Sequence, residues 1–367
     1  MMMMHRFFRC LIALMAVWLS ASPSVAQPAD STLAGHYAVY TSDGHPTTLD
    51  AVVAALRGVD VVFLGETHDD PVAHYLERIV LERAFGRFAA DTTNVRPVAI
   101  SFEQFSRDVQ YIMDEYLGGL ITEKHFRGST NPWQNYETDY RPMVEFARVH
   151  HVPVIAANAP RRYANRVTRH GPESLADLSD QAKTFLAPLP YAQASAPYKE
   201  QWDTAMAESM EEMRAAMAKS KDSTASAPDS VGAAVDEPAT HTVTLHDTST
   251  THAADSTHQD DQSFMHKGTL HMLEAQSLWD ATMAYSIADY LLRHPGTLVV
   301  HVVGGFHVEH GTGIPEHLER YRPGTRRLIV SLHPAQDISA FDPTEMEGLG
   351  DFVILTDESL PRSYDAE

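Results

Sequence analysis

Five short runs of consecutive apolar, largely β-branched residues punctuate the chain: Val59 to Leu64, Pro97 to Phe102, Val152 to Ala156, Thr297 to Val303 and Arg327 to Leu332. Runs that lack the every-second-residue alternation mark strands buried on both faces. Between them the apolar positions change to helical spacing. After the first run, Asp69-Asp70-Pro71 supplies a helix start, because Asp accepts free backbone N–H groups and Pro suits the first helical position. Val72, Leu76, Ile79 and Phe85 then recur on one helical face. Further helices are expected from Ser106 to Leu117 and from Pro160 onward. Strands alternating with helices predict an α/β fold: a mainly parallel sheet with helices on both faces.

The stretch from Pro172 to His294 reads as mostly helical, a lobe between the third and fourth strands. Residues 222–262 interrupt it with 13 Ser/Thr, seven Asp, four His and no aromatic residue. So few large apolar side chains do not offset the entropy of ordering, so this segment is expected to be a disordered insertion. Its histidines, His241, His246, His252 and His258, read as incidental to a solvated loop rather than as a metal site, since nothing fixes their geometry.

The net charge of −21 argues against nucleic acid or anionic lipid as the main partner. The one cysteine, Cys10, lies in an N-terminal segment with the layout of a secretory signal. His5, Arg6 and Arg9 precede an apolar run, Leu11 to Leu19, and Ser24-Val25-Ala26 offers small residues at a cleavage site. That run is too short to span a bilayer. Cleavage after Ala26 would start the mature protein at Gln27, in the periplasm or cell envelope, with no stable membrane insertion. The organisation expected is thus a signal peptide (1–26), one domain (27–335) carrying the insertion, and a C-terminal extension (336–367). With the cysteine gone, any metal or cofactor falls to His, Glu, Asp, Tyr or Met.

Open parallel sheets bind ligands beyond the carboxyl ends of their strands. Three runs here end in ionisable residues: Glu66 and His68 after the first, Glu103 after the second, His307 after the fourth. Two share the spacing Gly-x-x-His, GETH at 65–68 and GGFH at 304–307. Imidazole with carboxylate suits a divalent metal or acid/base work, so these four side chains are expected to share one site. His301, within its strand, reads as a core histidine. Met272, Trp279 and Met283 lie at helical spacing and read first as core packing.

The blocks VVFLGETHDDPVAH (61–74), NYETDYRPMVEFAR (135–148), VPVIAANAPRRY (152–163), LWDATMA (278–284) and VVHVVGGFHVEHG (299–311) resemble the ChaN-like haem-binding family of the Tiki superfamily, itself related to erythromycin-esterase-like enzymes. The resemblance covers roughly residues 35–335. It implies haem bound by a tyrosine near a homodimer interface, in a protein of the cell envelope serving iron or haem acquisition, with Tyr136 or Tyr140 as the ligand. The Tiki branch implies instead a metal-dependent hydrolase, with zinc or manganese on His68, His307 and Glu66 and with Glu66 or Glu103 as general base. The lipid-attachment cysteine common in the family is missing.

Overall fold

A computed structural model describes residues 33–90, 95–224 and 271–365. The signal segment 1–26 lies outside the described residues. So does the expected insertion 222–262, apart from residues 222–224, which continue a helix rather than open a loop.

Eight strands form one sheet: β1 (Tyr37–Thr41), β2 (Pro46–Thr47), β3 (Val61–Glu66), β4 (Val98–Ser106), β5 (Val154–Asn158), β6 (Leu298–Gly304), β7 (Arg327–Ala335) and β8 (Phe352–Asp357). Their order is β2-β1-β8-β7-β3-β6-β4-β5. From β8 to β5 every pairing is parallel, while β1 runs antiparallel to β2 and β8. All five apolar runs of the sequence became strands of this parallel stretch. The antiparallel border (β1, β2, β8) has no counterpart among those runs. Residues 336–367 were expected as an extension, but β8 sits between β1 and β7 within the sheet.

The unbroken apolar runs are explained by two cores, one on each face. Val62 and Leu64 of β3 pack with Val300 and Val302 of β6 against α1 (Leu49–Ala55), α2 (Pro71–Ala84), α3 (Gln110–Leu117), α4 (Glu123–Thr130) and α5 (Arg141–His150). Val61 and Phe63 point the other way, with Val299 and Val303, toward α8 (Met272–Arg293) and α9 (Ile314–Tyr321). Met283 is part of that second core and Trp279 packs against it, so these α8 residues do serve core packing. His301 is fully buried beside Ser101 Oγ at 3.0 Å, and burial pushes its imidazole down to about 3, a neutral core histidine.

The region read as mostly helical is less so than expected. After α6 (Arg161–His170) come a 3-10 segment, Pro172–Asp177, and one short turn, Asp180–Lys183. An irregular stretch follows before α7 (Ala196–Thr224). Among the described residues no helix is long and apolar enough to cross a membrane.

Candidate functional site

The strands whose ends carry ionisable residues lie side by side, in the order β3, β6, β4. Glu66, last in β3, stands in register with Gly304, last in β6. Glu103 comes just after Phe102 in β4, where the register against β5 shifts. Such an irregularity re-aims side chains. Its Oε2 accepts the Gly304 backbone N–H at 2.8 Å. A Cβ on Gly304 would stand 2.8 Å from His68 Cε1 and 3.6 Å from Glu103 Oε2, so glycine is what lets the His68 ring close on the strand end.

Glu66, His68, Glu103 and His307 are brought together as a chain of contacts. His68 Nδ1 donates to Glu66 Oε1 at 3.0 Å, and the His68 ring lies against Gly304 next to Glu103. Glu103 Oε1 is 3.5 Å from His307 Nε2, and His307 Nδ1 donates to Asp280 of α8. Burial alone would discharge His307, but Glu103 and Asp280 outweigh it and raise the imidazole to about 10. Burial likewise raises Glu103, yet His307 wins and holds it down to about 2. The pair is therefore an ion pair with Asp280 as a second anion. His68, whose side chain keeps 37% of its surface, is the exposed member, with Trp133 edge-on at 4.7 Å.

On the other side Glu66 meets Tyr140 and three residues not among the sequence candidates, Gln104, His74 and, through His74, Glu77. Its Oε1 also accepts Gln104 Nε2 at 3.0 Å and the Tyr140 hydroxyl at 2.9 Å. Its Oε2 is 3.0 Å from His74 Nδ1, which donates to Glu77 Oε2 at the same distance. The signal for these was present: His74 and Glu77 are three apart on α2, one face of one helix. Asp280 lay within the LWDATMA block, unassigned.

Two expected roles change. His68, His307 and Glu66 are not a group with metal-like spacing: His68 bonds Glu66, while His307 faces Glu103 at 3.5 Å. Among the described residues the group with metal-like spacing is Glu66, His74 and Glu77. Tyr136 and Tyr140, expected to meet haem, are both 1% exposed. Burial, with the negative field of Glu66 at Tyr140, pushes both hydroxyls far up, away from the tyrosinate that iron needs, and Tyr140 is already tied to Glu66. Neither hydroxyl is open to solvent in this structure.

A groove of about 600 Å³ runs along the edge strand β5, away from this cluster. Its lining includes Leu117, Pro153, Ile155 and Phe185 together with Arg107, Arg293, Tyr290 and His151. The Gln110 side chain, which donates to Val154 O and accepts from Ala156 N, closes the hydrogen bonds of the strand edge.

Residues 52–318 match the family model described as haem-binding uptake, Tiki superfamily, ChaN. The chain belongs to this family. No curated protein matches the sequence. Among solved structures, cofacial haem-bound ChaN of Campylobacter jejuni is 12% identical, with a TM-score of 0.53, over 88% of this chain and 98% of its own. That similarity establishes the shared fold. An erythromycin esterase in its open conformation is 10% identical, with a TM-score of 0.39, over 88% of this chain and 83% of its own. The type III effector HopBA1 is 10% identical, with a TM-score of 0.37, over 84% and 93%.

Proposed function

We propose that this member of the family is an exported haem-binding protein serving iron or haem acquisition, and that haem is its cargo. The observation that carries the reading within the family is the donor set of the β5 groove. Its volume suits a ligand of this size. Apolar side chains line it for a porphyrin face, Arg107 suits one propionate and Arg293, paired with Asp289 at 2.8 Å, would exchange that partner for the other, and Tyr290 offers an oxygen ligand for ferric iron. Tyr290 is half-buried, and burial raises its hydroxyl while Arg293 opposes that rise. His151 offers a nitrogen donor in the same groove. Bound haem would bring strong visible absorption and a ferric centre; the chain's own residues orient it and shield it from water.

Haemin titration of the mature protein, followed in the Soret band, tests this. Saturable binding should fall about tenfold or more in Tyr290→Phe, the loss of one good ligand. Tyr136→Phe and Tyr140→Phe should bind as the wild type does. Unchanged affinity in Tyr290→Phe together with His151→Ala would place the haem elsewhere. Light scattering with and without haemin tests the homodimer, and N-terminal sequencing from the envelope fraction tests for a start at Gln27.

The strand-end cluster favours a second reading, a hydrolase. His307, oriented by Asp280 and facing Glu103, next to a half-exposed His68 bonded to Glu66, has the parts of an acid/base site. Ester hydrolysis that is present in the wild type and lost in His68→Ala and His307→Ala supports it; a protein inert toward esters with zinc or manganese added speaks against it.

A further inference from the structure

We propose that Glu66, His74 and Glu77 form a binding site for one divalent transition-metal cation, zinc or manganese, beneath the strand-end cluster. The site is independent of the haem groove and does not use His68 or His307 as ligands.

The argument starts from how the two oxygens of Glu66 are served. Oε1 takes three donors: His68 Nδ1, Gln104 Nε2 and the Tyr140 hydroxyl. Oε2 takes none, although it is fully buried. Its nearest polar neighbour is His74 Nδ1 at 3.0 Å, but that nitrogen stands equally close to Glu77 Oε2 and gives its one hydrogen there. Glu77 Oε1 is likewise buried without a partner. The single N–H, directed at Glu77, leaves Glu66 Oε2 facing the imidazole without a hydrogen bond, whereas one cation between the three groups meets all of them. Buried polar atoms without partners are rare and call for such an explanation.

Geometry agrees. One atom from each residue can be chosen so that all three lie within 4.8 Å of one another. Ligands at 2.0–2.2 Å around a tetrahedral cation stand about 3.3–3.6 Å apart, so the 3.0 Å spacings need to open by about half an ångström. The far nitrogen of the ring is held as metal-binding histidines usually are: His74 Nε2 donates to the His68 carbonyl at 3.0 Å, which turns Nδ1 toward the carboxylates. The Asn135 amide donates to that same carbonyl at 2.7 Å, and Asp139 Oδ2 lies 3.4 Å from Nε2.

Charge agrees too. Glu66, Glu77 and a neutral His74 sum to minus two, which a divalent cation cancels. One imidazole with two carboxylates suits zinc or manganese.

The full mature chain would be unfolded in chelator, refolded with zinc or manganese chloride, gel-filtered and analysed for metal. One ion per chain is expected, with a thermal midpoint several degrees above that of protein refolded in chelator. Glu77→Gln keeps the shape and removes an anionic ligand, so metal content should drop below one tenth while the metal-free fold persists; His68→Ala should keep its metal. X-ray absorption on the zinc-loaded wild type guards against a variant that fails to fold, and should report a single imidazole among oxygen donors near 2.0–2.2 Å. Metal content near zero, equal binding by Glu77→Gln, loss of metal in His68→Ala, or two or more imidazoles would each overturn the proposal. None of these readouts involves haem.

Discussion

At His307 two carboxylates decide the charge of one imidazole, and the consequence is a pH dependence. The histidine titrates at about 10 when folded against 6.5 when free, so its stabilisation is whole below pH 6.5 and is lost as pH rises toward 10. Glu103 titrates at about 2 against 4.5, so its share is whole above pH 4.5 and is lost as pH falls toward 2. The pair therefore contributes most between these limits, on the acid side of neutrality. Urea unfolding of wild type and His307→Gln should differ most at about pH 5.5, and the difference should shrink by about pH 9.5. A difference independent of pH would mean that packing rather than charge ties His307 down. Gly304 makes a second prediction at this scale. Gly304→Ala puts a methyl carbon 2.8 Å from His68 Cε1, and a half-exposed ring can swing away. Stability should fall by no more than about 1.5 kcal/mol, while any hydrolysis that depends on His68 disappears.

The element that organises the site is α2. Asp70 caps it, its Oδ1 accepting Val72 N at 2.9 Å and Ala73 N at 3.2 Å. Its Oδ2 accepts the Thr356 hydroxyl of β8 and faces Arg362 at 3.5 Å, so one buried carboxylate fixes both the helix start and the C-terminal segment. Ser363 donates its N–H to Asp69 O at 3.0 Å and its hydroxyl to Asp139 Oδ1 at 3.0 Å. Asp70→Ala should cost about 2 kcal/mol or more: about 1 for the cap, the remainder for the orphaned hydroxyl and guanidinium. Asp70→Asn keeps the cap and should cost about half as much. Chemical denaturation of both variants separates the cap from the charge; equal losses would show that the cap contributes little.

For the whole molecule, the sheet continues past the region that the family model matches, which ends at residue 318. β7 and β8 follow it, and among the described residues β8 alone joins the parallel strands to β1. A chain stopped after Ala335 would expose the edge of β7 and detach the β1–β2 pair from the sheet. It would also remove Met346, Leu349, Val353 and Leu355, the partners of Tyr40 in a small core, and so uncover Tyr40. Such an unpaired edge invites aggregation, so the truncated protein should be insoluble or lack a cooperative thermal transition. A soluble, cooperatively folding truncation would make β8 an accessory after all.

What the residues determined unaided was whatever depends on local pattern. The β-branched runs could only be strands buried on both faces, Asp70-Pro71 could only open a helix, and Glu66, His68, Glu103 and His307 fell at strand ends by their position alone. The antiparallel border escaped because β1 and β2 are short and β8 depends on neighbours distant in the chain. Which strand ends meet was decided by the tertiary order: β3, β6 and β4 are adjacent although β6 lies nearly two hundred residues after β4. The same order brought Asp280 to His307 and left Tyr136 and Tyr140 inside the core. It also set His74 and Glu77 against Glu66. Hydrophobic periodicity is written over a few residues, whereas the charge and partners of a buried ionisable group depend on everything packed around it.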